Sequence, residues 1–252
     1  MSGQTVIVKR MLRASCEEVF DAWLDPGGMR EWMAWPRANL VPLPDGFTPE
    51  DGVMLEPLGV ALYALDLNPI RPGDSVGVFG CGPIGLLVIQ LARLAGAGQV
   101  VATDVLPHRV EAARKCGAHQ AILAEDGRGI EEALRYAPAD GLDDVFEVAG
   151  DNAAVEAATE AVRAGGKVTL VGIPSDDHTT VRASTVRRKG LSIQWVRRMK
   201  HTYPRAVQLV QHEQVDVRAE VTHTFPLSQV NEAFQTALRR EGLKVVISMG
   251  KS

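Results

Sequence analysis

Val76-Gly77-Val78-Phe79-Gly80-Cys81-Gly82-Pro83-Ile84-Gly85 runs directly into the apolar Leu86-Leu87-Val88-Ile89. Ser75 to Phe79 reads as a short buried strand and Ile84 onward as a buried helix, with the glycines marking the turn between them. In a G-x-G-x-x-G spacing each glycine has its own reason. Gly80 permits a tight turn, Gly82 lets a diphosphate approach the backbone, and Gly85 lets the helix lie close to the strand. The start of the helix then presents N–H groups and a partial positive charge to that phosphate.

The next apolar run, Gln99-Val100-Val101-Ala102-Thr103, reads as a second strand and ends in Asp104. An acid about 20 residues past such a turn can hydrogen-bond the ribose hydroxyls of an adenosine. Strand, turn, helix, strand and acid in that order point to a bound dinucleotide. The competing reading is a packed turn in which Asp104 only caps the helix that follows.

Outward from this core the alternation continues. Before it, Thr48-Pro49-Glu50-Asp51 opens a helix through Leu65, with a break expected at Pro57. After it come a helix from Pro107 closed by Gly117, a strand from Gln120 to Leu123, a helix around Ile130 to Tyr136, and a strand from Asp143 to Gly150. The alanine-rich stretch from Ala153 to Val162 reads as a helix ended by Gly165-Gly166, followed by a strand from Lys167 to Gly172. Leu191 to Val196 is extended, helices follow through Leu209 and from Leu227 to Leu238, and Lys244 to Ser248 is a last strand. Strands alternating with helices call for right-handed crossovers. The expected fold is α/β, a doubly wound parallel sheet of Rossmann type with helices on both faces.

Composition narrows the classes. The 252 residues carry a net charge of −4, without the basic excess that a nucleic-acid or anionic-membrane surface needs. No apolar stretch approaches bilayer-spanning length, and the opening residues lack a signal-peptide core. Cys16, Cys81 and Cys116 are scattered and odd in number, so no disulfide framework or cysteine-based zinc spacing follows, and a cytoplasmic setting is expected. The clusters Arg187-Arg188-Lys189 and Arg197-Arg198-Lys200 read as solvated ends of elements or a single phosphate contact.

Two resemblances are carried by quoted residues. Arg10 to Pro26 resembles the start of START-like (SRPBCC) ligand-binding domains, a strand and a capped helix confined to residues 1–35 and read as an appendage. From about Asn39 onward the chain resembles the cofactor-binding half of medium-chain dehydrogenases, the zinc-type alcohol and sorbitol dehydrogenase group. The matching blocks are Leu43-Pro44-Asp45-Gly46, Glu56-Pro57-Leu58, Pro72 to Val76, Gly80 to Leu86, Arg109 to Ala118, Gly141 to Gly150, Gly165 to Pro174 and Thr222 to Leu227. Residues 36–252 are thus expected to form one NAD(P)-binding domain.

That resemblance implies roles. Gly80, Gly82, Pro83, Ile84 and Gly85 would hold the diphosphate, Asp104 the adenosine ribose, and Arg109 would lie over the adenine or support the acid. Val148, Gly172, Ile173 and the Trp195 to Arg197 segment would line the nicotinamide end. A carboxylate at Asp104 repels the extra phosphate of NADP, so NAD is the expected cofactor. The implied reaction passes hydride between a secondary alcohol or polyol and NAD. A homo-oligomer through the sheet edge is also implied, with Lys244 to Ser248 as a candidate edge.

Zinc belongs to the family, yet the GroES-like half with its catalytic Cys and Gly-His-Glu segment has no counterpart in the sequence. Only Glu56 sits at a matching metal-shell position, and none of the histidines shows paired ligand spacing. An NAD-dependent dehydrogenase therefore stands beside a non-catalytic NAD-binding module as the two main readings. A methyltransferase also places a glycine-rich turn before an acid-ended strand, but Gly85 and the Leu43 to Gly46 block count against it.

Overall fold

The computed structural model describes residues 40–124 and 129–248. The chain divides into two compact units, one of residues 46–220 and one made of the remainder. The START-like strand and helix expected within residues 1–35 lie outside the described residues.

The larger unit is built on six strands: β1 (Ser75–Phe79), β2 (Gln99–Asp104), β3 (Gln120–Leu123), β4 (Leu142–Glu147), β5 (Val162–Leu170) and β6 (Ser192–Trp195). They form one sheet in the order β3-β2-β1-β4-β5-β6, and every pairing is parallel. From β1 the chain winds outward to β3, crosses back, and winds the other way from β4 to β6. The crossing point lies between β1 and β4, where adjacent connections leave in opposite directions and open a crevice at the carboxyl ends.

Seven α-helices accompany the sheet among the described residues of this unit: α1 (Pro49–Leu67), α2 (Pro83–Leu94), α3 (Pro107–Lys115), α4 (Gly129–Tyr136), α5 (Asn152–Ala161), α6 (Ala183–Lys189) and α7 (Tyr203–Gln211). Helices on both faces explain why β1 is buried at all five positions. On one face Phe79, Val101, Val145 and Val168 pack with Ala133, Val155 and Ala158. On the other, Val78 lies against α2, which it meets at Gly85.

α1 begins as its sequence predicts. Thr48 Oγ1 accepts the Asp51 N–H at 3.2 Å, and the Asp51 carboxylate accepts the Thr48 N–H at 2.8 Å. The break expected at Pro57 does not occur, and the helix runs unbroken from Pro49 to Leu67. Proline forfeits one backbone bond, but Pro57, Leu58 and Gly59 are all buried, so packing outweighs that loss.

The second difference lies at α5. The helix ends at Ala161, Val162 is already extended (φ −73°, ψ 141°), and Gly165-Gly166 fall inside β5 instead of ending the helix. Leu142 pairs with Val162 but Asp144 pairs with Lys167, so the glycines sit in a bulge that takes up the surplus residues. A Cβ at Gly166 would lie 2.9 Å from the Asp143 carbonyl, which is why a residue without one stands there.

In the smaller unit β7 (Val221–Pro226) and β8 (Lys244–Ser248) pair in parallel, joined through α8 (Val230–Leu238). Lys244–Ser248 is therefore no edge of the six-stranded sheet; β6 holds that edge. Among the described residues no helix is long and apolar enough to cross a membrane.

Candidate functional site

The glycine turn sits at the carboxyl end of β1, and Gly80 and Gly85 are each required by a different neighbour. Gly80 has φ +103°, and a Cβ there would lie 2.6 Å from the Ala149 backbone nitrogen. At Gly85 a Cβ would stand 1.9 Å from the Gly80 carbonyl oxygen, so α2 can approach β1 only as glycine. Gly82 is the opposite case: a Cβ there would meet only Arg109 Nη1, at 3.7 Å, and the space before the helix is open. Gly82 is also the N-cap of α2, and no side chain caps that end. An anion can approach the bare backbone here, as the spacing predicts.

Asp104 closes β2 beside this turn and is 7% exposed. Its Oδ2 accepts the Cys81 N–H at 2.7 Å, and its Oδ1 accepts the Leu106 N–H at 2.9 Å. Leu106 is the N-cap position of α3, so part of the competing reading holds: the acid does steady the entry to the next helix. A carboxylate has about four lone-pair sites, and two backbone bonds leave it able to accept from a ribose. Arg109, on α3, holds Nη1 3.9 Å from Asp104 Oδ2. Its Nε is buried and has no hydrogen-bond partner among the described residues. The open face at Gly82, the anchored carboxylate and this unpaired donor together fit a dinucleotide.

The residues expected at the nicotinamide end gather at the same edge of the sheet. Val148 follows β4 and donates its N–H to the Phe79 carbonyl at 2.7 Å. Gly172 and Ile173 follow β5; Ile173 is 89% exposed. Trp195 ends β6 at 61% exposure and Arg197, just beyond, is exposed. Glu147, which sequence reasoning passed over, is buried at the end of β4, where Oε1 accepts the Ala149 and Gly150 N–H groups. Its signal was an acid closing the strand directly after the apolar pair Val145-Phe146.

Zinc has no comparable fit. Among the described residues no three His, Cys, Asp or Glu side chains are grouped to hold a metal ion. Glu56 is exposed on α1.

Comparison with known proteins settles the lineage. The family model of zinc-binding dehydrogenases matches residues 83–212, more than half of the chain. The chain belongs to the zinc-binding dehydrogenase family. Sorbitol dehydrogenase of Bacillus subtilis (strain 168) is 32% identical over 207 residues, 81% of this chain and 59% of that protein. Alcohol dehydrogenase TADH from Thermus sp. ATN1 superposes with a TM-score of 0.78 at 29% identity, covering 83% of this chain and 61% of that one. A zinc-binding dehydrogenase from Sinorhizobium meliloti 1021, solved bound to NADP, gives a TM-score of 0.77 at 27% identity, over 84% of this chain and 64% of that one. The chain thus spans about three-fifths of the length of these relatives.

The match covers the NAD(P)-binding half of the family, and the Rossmann sheet matches that of the solved relatives. These relatives lend no support to the START-like resemblance of residues 1–35. Within the cluster Arg187-Arg188-Lys189 the two arginines are exposed, and Lys189 alone takes a different role from a solvated end or phosphate contact. Lys189 Nζ donates to the Thr159, Glu160 and Val162 carbonyls at 3.2, 2.6 and 2.7 Å, closing the carboxyl end of α5.

Proposed function

We propose that the chain binds NAD across the β1/β4 crevice and serves a dehydrogenase that passes hydride between a secondary alcohol or polyol and that cofactor. The observation that carries this is Asp104, fixed by two backbone N–H groups beside an uncapped helix start. When bound, NAD supplies the hydride acceptor. The chain's own residues orient it: the Gly80 to Gly85 turn takes the diphosphate, Asp104 the ribose, and Arg109 the adenine side. Val148, Gly172, Ile173 and Arg197 border the nicotinamide.

NAD is preferred over NADP because the Asp104 carboxylate stands where a 2′-phosphate would add like charge in a partly buried site. The described residues supply no ligand group for zinc. The free edge of β6 is the proposed contact with a second copy, since it is the outermost strand on that side of the sheet. The cytoplasm is the proposed setting, in keeping with the free thiols of Cys81 and Cys116.

Calorimetric titration with NAD and NADP, followed by assay against a panel of alcohols and polyols with and without added zinc, tests the proposal. NAD binding with turnover supports the dehydrogenase. NAD binding without turnover would instead make the chain a cofactor-binding module. S-adenosylmethionine binding in place of NAD would overturn both.

A further inference from the structure

We propose that Glu147 is a positioning residue for the nicotinamide half of the dinucleotide, locking together the two turns that line that part of the crevice. The inference rests on the dinucleotide reading above.

Glu147 is 1% exposed. Its Oε1 accepts the N–H groups of Ala149 and Gly150 at 2.8 and 2.7 Å, two charge-assisted bonds that hold the turn after β4 from within. Its backbone carbonyl accepts the Val171 and Gly172 N–H groups at 2.8 and 3.1 Å, which holds the turn after β5. One residue thus fastens two turns, one through its side chain and one through its main chain.

The contacts around it leave no slack. A Cβ at Gly172 would lie 2.2 Å from the Gly150 nitrogen and 2.9 Å from Glu147 Oε2. A Cβ at Gly80 would lie 2.6 Å from the Ala149 nitrogen, so the turn after β4 also abuts the diphosphate turn. Burial pushes the Glu147 carboxyl above the ordinary glutamate range, while the Gly150 and Ala149 amides pull it back. A buried carboxylate is costly unless well paired, and this one is spent on the geometry of a turn. A site must be held this closely to keep a ligand in productive register. Asp104 lies on β2, across β1 from β4, so the adenosine half is placed without Glu147.

The test compares AMP, which occupies only the adenosine half, with NADH, whose nicotinamide fluorescence reports its surroundings. Full-length wild type, Glu147→Ala and Glu147→Gln are titrated with both. Glu147→Ala is expected to weaken NADH about tenfold or more and to lower its bound-state fluorescence enhancement, with AMP changed by less than about twofold. Glu147→Gln keeps the shape and an acceptor oxygen, so it falls between wild type and Glu147→Ala. Where Glu147→Ala does not fold, Glu147→Gln decides alone. NADH binding as in wild type, or parallel losses for AMP and NADH, overturns the proposal. Wild type that binds neither AMP nor NADH would sink the dinucleotide reading itself, a separate outcome.

Discussion

Asp104 Oδ2 accepts the Cys81 backbone N–H at 2.7 Å, which ties the end of β2 to the turn that opens α2. The acid is therefore in place before any ligand arrives, and little ordering remains to oppose binding. Asp104→Ala removes both the ribose acceptor and the negative charge that opposes a 2′-phosphate. NAD affinity is expected to fall about tenfold or more, and NADP affinity much less. Calorimetry with both cofactors checks this; equal weakening of the two would remove the assignment of Asp104.

Gly85→Ala places a methyl 1.9 Å from the Gly80 carbonyl oxygen, a backbone atom that cannot swing aside. Strand and helix must separate, with a cost of about 1–3 kcal/mol or more. A lower melting temperature together with loss of NADH binding is expected. Gly73, with nothing within 4 Å of its Cβ direction but φ +95°, isolates backbone strain from crowding, and Gly73→Ala should leave NADH binding intact.

Asp144, 5% exposed, has its pKa pushed up to about 6 by burial first and by the neighbouring Asp74 next, with Lys167 opposing. The folded chain holds this proton more tightly than the unfolded chain does. Its stabilising contribution is therefore present at low pH and is lost as pH rises from about 4 through 6. A shift of this size corresponds to about 2–3 kcal/mol. Asp144→Asn mimics the protonated form, so it is expected to be the more stable protein at pH 7 and to flatten the pH dependence between pH 4 and 6. Urea unfolding across that range reads the effect, and an unchanged pH slope would refute it.

Lys189 closes the carboxyl end of α5 through three backbone carbonyls, whereas Arg187 is exposed. Lys189→Met is expected to cost about 1 kcal/mol, because it removes both the donor and the favourable helix-end charge. Arg187→Met should cost less than about 0.5 kcal/mol, as is usual for a surface change. Thermal melts of the two variants distinguish a capping lysine from a merely basic surface.

Where burial on both faces forces an unbroken apolar run, the sequence was readable. Ser75–Phe79 and Gln99–Asp104 are strands because nothing else accommodates such runs between turn residues. Harder to read were places where packing overrode a local preference. Pro57 stays inside α1 because its surroundings are buried, and Gly165-Gly166 lie within β5 because a bulge absorbs them. Val221–Pro226 escaped notice as a strand because none of its residues is fully buried and its partner β8 comes only after α8. Lys189 looked like surface charge because its three acceptors come from residues 27–30 positions earlier.

The order of glycines, apolar strands and closing acid determined on its own that this chain builds a parallel sheet with a glycine turn at the end of its first strand. Those signals are local: steric freedom at one residue, or alternation over a few. Only the folded chain decided that Asp104 is anchored by Cys81, that Arg109 Nε has no partner among the described residues, and that Glu147 fastens two turns at once. Such pairings join residues from separate strands and helices, and a bond of about 3 Å between distant positions exists only once packing has brought them together.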